Sequence, residues 1–200
     1  MNTKNKKIKK NMNKDFLIVQ LTNIENAKRT NRLRVTNLVI ENNELFKYLL
    51  ELVFQVKNKL SIKAAWVLEL VCEEKLEWIV PHLNYFTENI HTVLFDSVLR
   101  PVSKICNFLA IAYTSKNENL IKKCISTNHI ENIIEAGFDW MISKQKVAVK
   151  AYTMNALYLF GKDSDWVHHE LKIIIQQNIA TESAAYKARG KMTLALINKK

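Results

Sequence analysis

Glycine (3 residues) and proline (2) are nearly absent from this chain of 200 residues. Strand-rich folds turn often and draw on both, so their scarcity points to long helices joined by short polar connections. The cysteines Cys72, Cys106 and Cys124 are odd in number, widely spaced and free of any Cys-x-x-Cys pairing. They read as reduced core thiols of a cytoplasmic protein, not as a disulfide framework or a zinc site. No window approaches 18 apolar residues, and the run Phe16–Leu21 behind the basic N-terminus is too short for a signal peptide. Neither membrane insertion nor secretion is expected.

Catalytic signatures are missing as well. With only Gly137, Gly161 and Gly190 available, the chain has no P-loop, no Gly-x-Gly-x-x-Gly and no Gly-x-Ser-x-Gly. The histidines His82, His91, His129, His168 and His169 contain no His-Glu-x-x-His and no i,i+4 pair. His168 and His169 are adjacent, so on a helix they diverge by about 100° and cannot share one metal. The carboxylates are scattered over helix surfaces. These absences predict a non-enzymatic protein with no metal and no cofactor.

What is present is apolar periodicity and positive charge. Apolar residues make up 48 % of the chain, enough for most of it to fold. The net charge is +11, but residues 1–14 hold six lysines and no acid, and without them the balance is +5. Lysine outnumbers arginine 25 to 5, whereas nucleic-acid surfaces favour the flat arginine fork. We therefore expect a disordered Lys/Asn-rich tail over 1–14 and a single all-α domain over 15–200. A tail that lends electrostatic affinity for nucleic acid is the sharper alternative.

From residue 15 onward, apolar residues recur at helical spacing. Leu45, Leu49, Leu52 and Val53 mark one helix; Trp66, Val67, Leu70 and Val71 mark the next. The breaks Asn42-Asn43, Lys57-Asn58-Lys59, Ser115-Lys116-Asn117 and Ser143-Lys144-Gln145 are polar and short. Gly161 follows an apolar run and suits a C′ cap with positive φ. Pro81 and Pro101 suit first turns or a kink. The tryptophans Trp66, Trp78, Trp140 and Trp166 lie in apolar runs, where core packing is the expected role.

An internal repeat organises this pattern. Lys63-Ala64-Ala65-Trp66-Val67-Leu68-Glu69-Leu70 is followed by Glu77-Trp78-Ile79-Val80-Pro81-His82-Leu83. Lys150-Ala151-Tyr152-Thr153-Met154-Asn155-Ala156-Leu157 is followed by Asp165-Trp166-Val167-His168-His169-Glu170-Leu171. Lys63 to Trp78 spans 15 steps and Lys150 to Trp166 spans 16, a difference of one loop residue. Weaker echoes carry Arg32 and Arg34, then Arg100, then Lys187 and Arg189. The basic anchors recur at intervals of roughly 29 to 50 residues, the irregular period of helical-hairpin arrays.

In these features the chain resembles the HEAT/armadillo-like α-solenoids. Leu45–Phe54, the turn Gln55–Leu60 and Lys63-Ala64-Ala65 follow the order leucine-rich helix A, turn, basic and small start of helix B. So do His129–Ile142, the turn Ser143–Lys146 and Val149-Lys150-Ala151. The resemblance covers roughly residues 30–195 and implies a right-handed superhelix of four to five stacked antiparallel hairpins. It further implies a scaffold that binds a macromolecule, a protein first of all, on a concave face lined by the B helices. Candidate contacts are Lys63, Arg100, Lys150, Lys187 and Arg189, with Trp66 and Tyr152 beside them. The competing role for the five cations is to bond a neighbouring turn carbonyl or acid and fix register. Nucleic acid is the alternative partner, because HEAT-like DNA alkylation-repair glycosylases use Trp, Asp and Arg/Lys in their cleft. Trp66, Trp78, Trp140, Trp166, Asp139 and Asp165 are the raw material for such a cleft. The all-helical adenylosuccinate lyases are a further comparison, but their Gly-Ser-Ser-x-Met-Pro-x-Lys-x-Asn loop is missing here.

Overall fold

The structure is a computed structural model that describes residues 12–199, among which there are eleven α-helices and no strand. They are α1 (Lys14–Thr22), α2 (Arg29–Glu41), α3 (Phe46–Val53), α4 (Leu60–Glu74), α5 (Leu83–Asn89) and α6 (Asp96–Tyr113), then α7 (Leu120–Cys124), α8 (Thr127–Ile142), α9 (Val147–Phe160), α10 (Asp165–Asn178) and α11 (Ala184–Ile197). The helices stack in two rows. One row runs α2, α4, α6, α9, α11, each packed on the next. In the other, α1 packs on α3, α5 on α8 and α8 on α10. Phe54 at the end of α3 closes the remaining gap, meeting the α5 rings of Tyr85 and Phe86 at 5.8 and 5.9 Å. This alternation is an α-solenoid of five consecutive helix pairs, with the short α7 inserted after α6.

Local chemistry explains where the helices start. Asn13, Asn119 and Ser183 each accept a backbone N–H of the first turn of α1, α7 and α11. α8 opens on a reciprocal box in which Ser126 Oγ accepts from the His129 N–H while His129 Nδ1 accepts from the Ser126 N–H at 3.0 Å. Pro81 lies in the 3-10 segment Leu76–His82 that leads into α5.

Between the rows lies one continuous core. Leu49, Leu50, Leu52 and Val53 of α3 are buried against α4, whose Ala64, Ala65, Val67 and Leu68 are fully buried. Each such leucine contributes about 1.5–3 kcal/mol through loss of contact with water. The alanines let the helices approach closely. Gly137 does the same for α8 on α9, since a Cβ there would meet Leu157 Cδ2 at 3.0 Å.

Four expectations are corrected. Gly161 has φ −76°, and no described glycine has positive φ. What demands glycine there is space: a Cβ would stand 2.7 Å from the His168 ring and 2.9 Å from Val167. Cys124 is exposed, because α7 buries only Ile121. Trp166 is 57 % exposed, because it lies at the start of α10 on the outer side of α8. Of the tail expected over 1–14, residues up to 11 lie outside the described part, and Lys14 already opens α1 and pairs with Glu51 at 2.7 Å.

Candidate functional site

Each inner helix of the row α4, α6, α9 is covered by neighbours on two sides and by the core on a third, which leaves one open face. On α6, exposed or half-buried side chains fall at Arg100, Lys104, Phe108 and Ile111, a spacing that keeps them on one face. On α4 the exposed or half-buried positions of this face are Ile62, Trp66 and Glu73, with the buried Glu69 between them; on α9 they are Ala148, Tyr152, Asn155 and Leu159.

The acids of this face are neutralised within the ladder. Lys104 of α6 reaches back to α4, with Nζ 2.8 Å from Glu69 and 3.6 Å from Glu73. Glu73 also meets Arg29 of α2 at 3.4 Å, so one chain of charges ties three neighbouring helices together. Glu69 is only 4 % exposed, and its second oxygen is buried without a hydrogen bond. The Lys104 ammonium is therefore its main compensation. The same ammonium lies 5.2 Å from the Phe108 ring centre. At the next step of the row the bridge is neutral, Asn155 Nδ2 donating to Asn107 Oδ1 at 2.6 Å. The residual charge of the open face comes from Arg100, which is exposed and whose guanidinium has no partner among the described residues.

The seven residues singled out in the sequence separate into two groups. Trp66, Arg100 and Tyr152 fall on the open face of α4, α6 and α9. Lys63 and Lys150 occupy the fourth position of α4 and α9 but turn away from it. Lys63 Nζ donates to the Thr22 carbonyl at the end of α1, at 2.7 Å. Lys150 is 6 % exposed, pairs with Glu182 at 2.7 Å and sits over the Tyr186 ring. Lys187 and Arg189 flank the exposed arc of α11 on opposite sides, both half-buried. The five cations thus do not form one row. Sequence reading missed Phe108 and Ile111, which stand eight and eleven residues beyond Arg100 and so share its face.

The remaining chemistry is structural. Burial pushes the Cys72 and Cys106 thiols far above their ordinary range, which keeps them protonated and unreactive. His168 stacks on Tyr158 and bonds its carbonyl at 2.8 Å. His129 closes the α8 cap and bonds Asn84 Oδ1 through Nε2; burial lowers its pKa. Among the described residues no group of three or more His, Cys, Asp or Glu could hold a metal, and no helix is long and apolar enough to cross a membrane. The tryptophans do not converge: Trp140 is buried, Trp66 and Trp78 are half-buried in separate segments, and Trp166 faces outward.

A family model for the HEAT repeat domain matches residues 20–196, nearly the whole described chain. The chain belongs to the HEAT repeat family. The two-row stack is the physical form of that membership, with α4 and α9 as corresponding inner helices. No curated protein and no solved structure matches this HEAT repeat chain.

Proposed function

We propose that this HEAT repeat protein is a non-enzymatic scaffold that binds a protein partner on the open face of α4, α6 and α9. One observation carries the reading: the acids of that face are held in ion pairs, while Arg100, Phe108 and Ile111 stand together on α6, flanked by Trp66 and Tyr152. Aromatic and arginine side chains with little competing charge are the groups that dominate protein–protein contacts. Lys63 and Lys150 serve as register anchors in this reading.

The test is capture from native cell extract by the intact chain and by an Arg100→Glu/Ile111→Asp variant of equal thermal stability. Partners retained by the first and lost by the second support the face; equal capture refutes it. Nucleic acid is the second reading, favoured by α11, where Ala184–Ile197 carries Lys187, Arg189 and Lys191 and no acid. Binding to duplex DNA that weakens steeply with salt and falls on Lys187→Glu would select it, and no binding at low salt removes it.

A further inference from the structure

The opposite side of the solenoid carries a second, differently charged surface. Trp166, at the start of α10, packs against Phe138 of α8 with ring centres 5.7 Å apart and the planes tilted by 35°. One helical turn past Phe138, Ile142 is 69 % exposed. Isolated apolar side chains on a surface are ordinary, but a tryptophan 57 % exposed, backed by a ring and next to an exposed isoleucine, forms a ledge. Beside it, Glu131, Glu135 and Asp139 repeat every four residues along α8, and Glu170 stands one turn from Trp166 on α10. None of the four enters an ion pair among the described residues. Lys144 and Lys146, in the turn beyond Ile142, close the acidic stretch at that end. On the side away from Trp166, Glu135 and Asp139 lean over a cavity of about 180 Å³ that they share with His91 and Asn132.

We propose that the outward face of α8 and α10 docks an arginine-bearing basic peptide segment of a partner protein. The occupant follows from charge complementarity: in a chain of net charge +11, this face presents unpaired carboxylates beside an apolar ledge. A guanidinium entering the cavity meets two carboxylates and the Asn132 amide, which suits its planar fork of donors better than the single point of an ammonium. An apolar neighbour in the same peptide covers Phe138 and Ile142, and a second guanidinium can lie flat on the Trp166 indole. The face belongs to the other row of helices and stands independently of the α4–α6–α9 reading; together they make the scaffold bivalent.

The experiment is fluorescence anisotropy of the full chain with the labelled peptide Gly-Arg-Leu-Arg-Gly-Leu-Arg-Gly and with its all-lysine counterpart. The arginine peptide should bind more tightly than the lysine one. Trp166→Ala, and separately Glu135→Lys/Asp139→Lys, should each weaken it by about tenfold, the scale of a lost interface anchor. Glu44→Lys, an exposed acid outside both faces, should leave affinity unchanged. All the altered side chains are exposed, and an unchanged thermal midpoint verifies the fold. Absence of binding, equal binding of the two peptides, or variants that bind as well as the parent chain would each overturn the proposal.

Discussion

The inner helices α4 and α9 begin with the same Lys-Ala signature, yet the two lysines end in different surroundings. Lys63 is half-buried and donates to a backbone carbonyl at the end of α1, the preceding pair. Lys150 is buried and meets a carboxylate in the turn before α11, the following pair. The bridges to α6 differ in the same way, charged from α4 through Lys104 and Glu69, neutral from α9 through Asn155 and Asn107. A repeat therefore fixes which position of which helix a cation occupies, and the neighbouring helices decide what it bonds. Only sites where no neighbour supplies a partner, such as Arg100, remain available for another molecule.

This contrast orders the expected effects. Lys104→Met should be the most costly change, about 3–5 kcal/mol in urea unfolding, because Glu69 keeps its buried charge and loses its partner. Adding Glu69→Leu should restore much of that loss; failure to do so would mean that the pair matters through packing. Lys150→Met should cost about 2 kcal/mol, the scale of a lost charged hydrogen bond with the acid left part-buried. Lys63→Met should cost about 0.5–1.5 kcal/mol, since water can solvate the Thr22 carbonyl. If the two lysine variants were equally destabilised, the difference in surroundings would have no energetic meaning. The smallest effect is expected with pH. Burial holds the His129 pKa below its ordinary value, so the unfolded chain binds that proton more readily. The resulting stability is complete above the unfolded pKa near 6.5 and is lost as pH falls through the depressed folded value. His129→Asn should flatten, though not abolish, the slope between pH 7.5 and 5.5, because His82 is depressed in the same direction.

Helix positions were legible in the sequence wherever apolar spacing was strong. The turn expected at Gln55–Leu60 lies one residue earlier, at 54–59, the turn Ser143–Lys146 lies where it was expected, and the inner helices that follow begin at Leu60 and Val147. The cations were harder to interpret, because their fate depends on residues far away in the chain: Thr22 lies 41 positions from Lys63, and Glu182 lies 32 from Lys150. No local pattern encodes such pairings. Trp166 misled for a related reason, since an apolar run marks a helix without saying which side of it a neighbour covers. Phe108 and Ile111 were within reach, and projecting α6 onto a helical wheel from Arg100 would have found them.

The open face of α6 can be probed directly in the cell extract. A photo-reactive phenylalanine placed at Ile111, with a control at the exposed Leu120 of α7, would be irradiated in native extract and the adducts identified by mass. Ile111 should yield a discrete protein adduct that Leu120 does not, and Arg100→Glu should abolish it. Adducts at Leu120 alone, from a chain that still captures its partner, would contradict this assignment of the face.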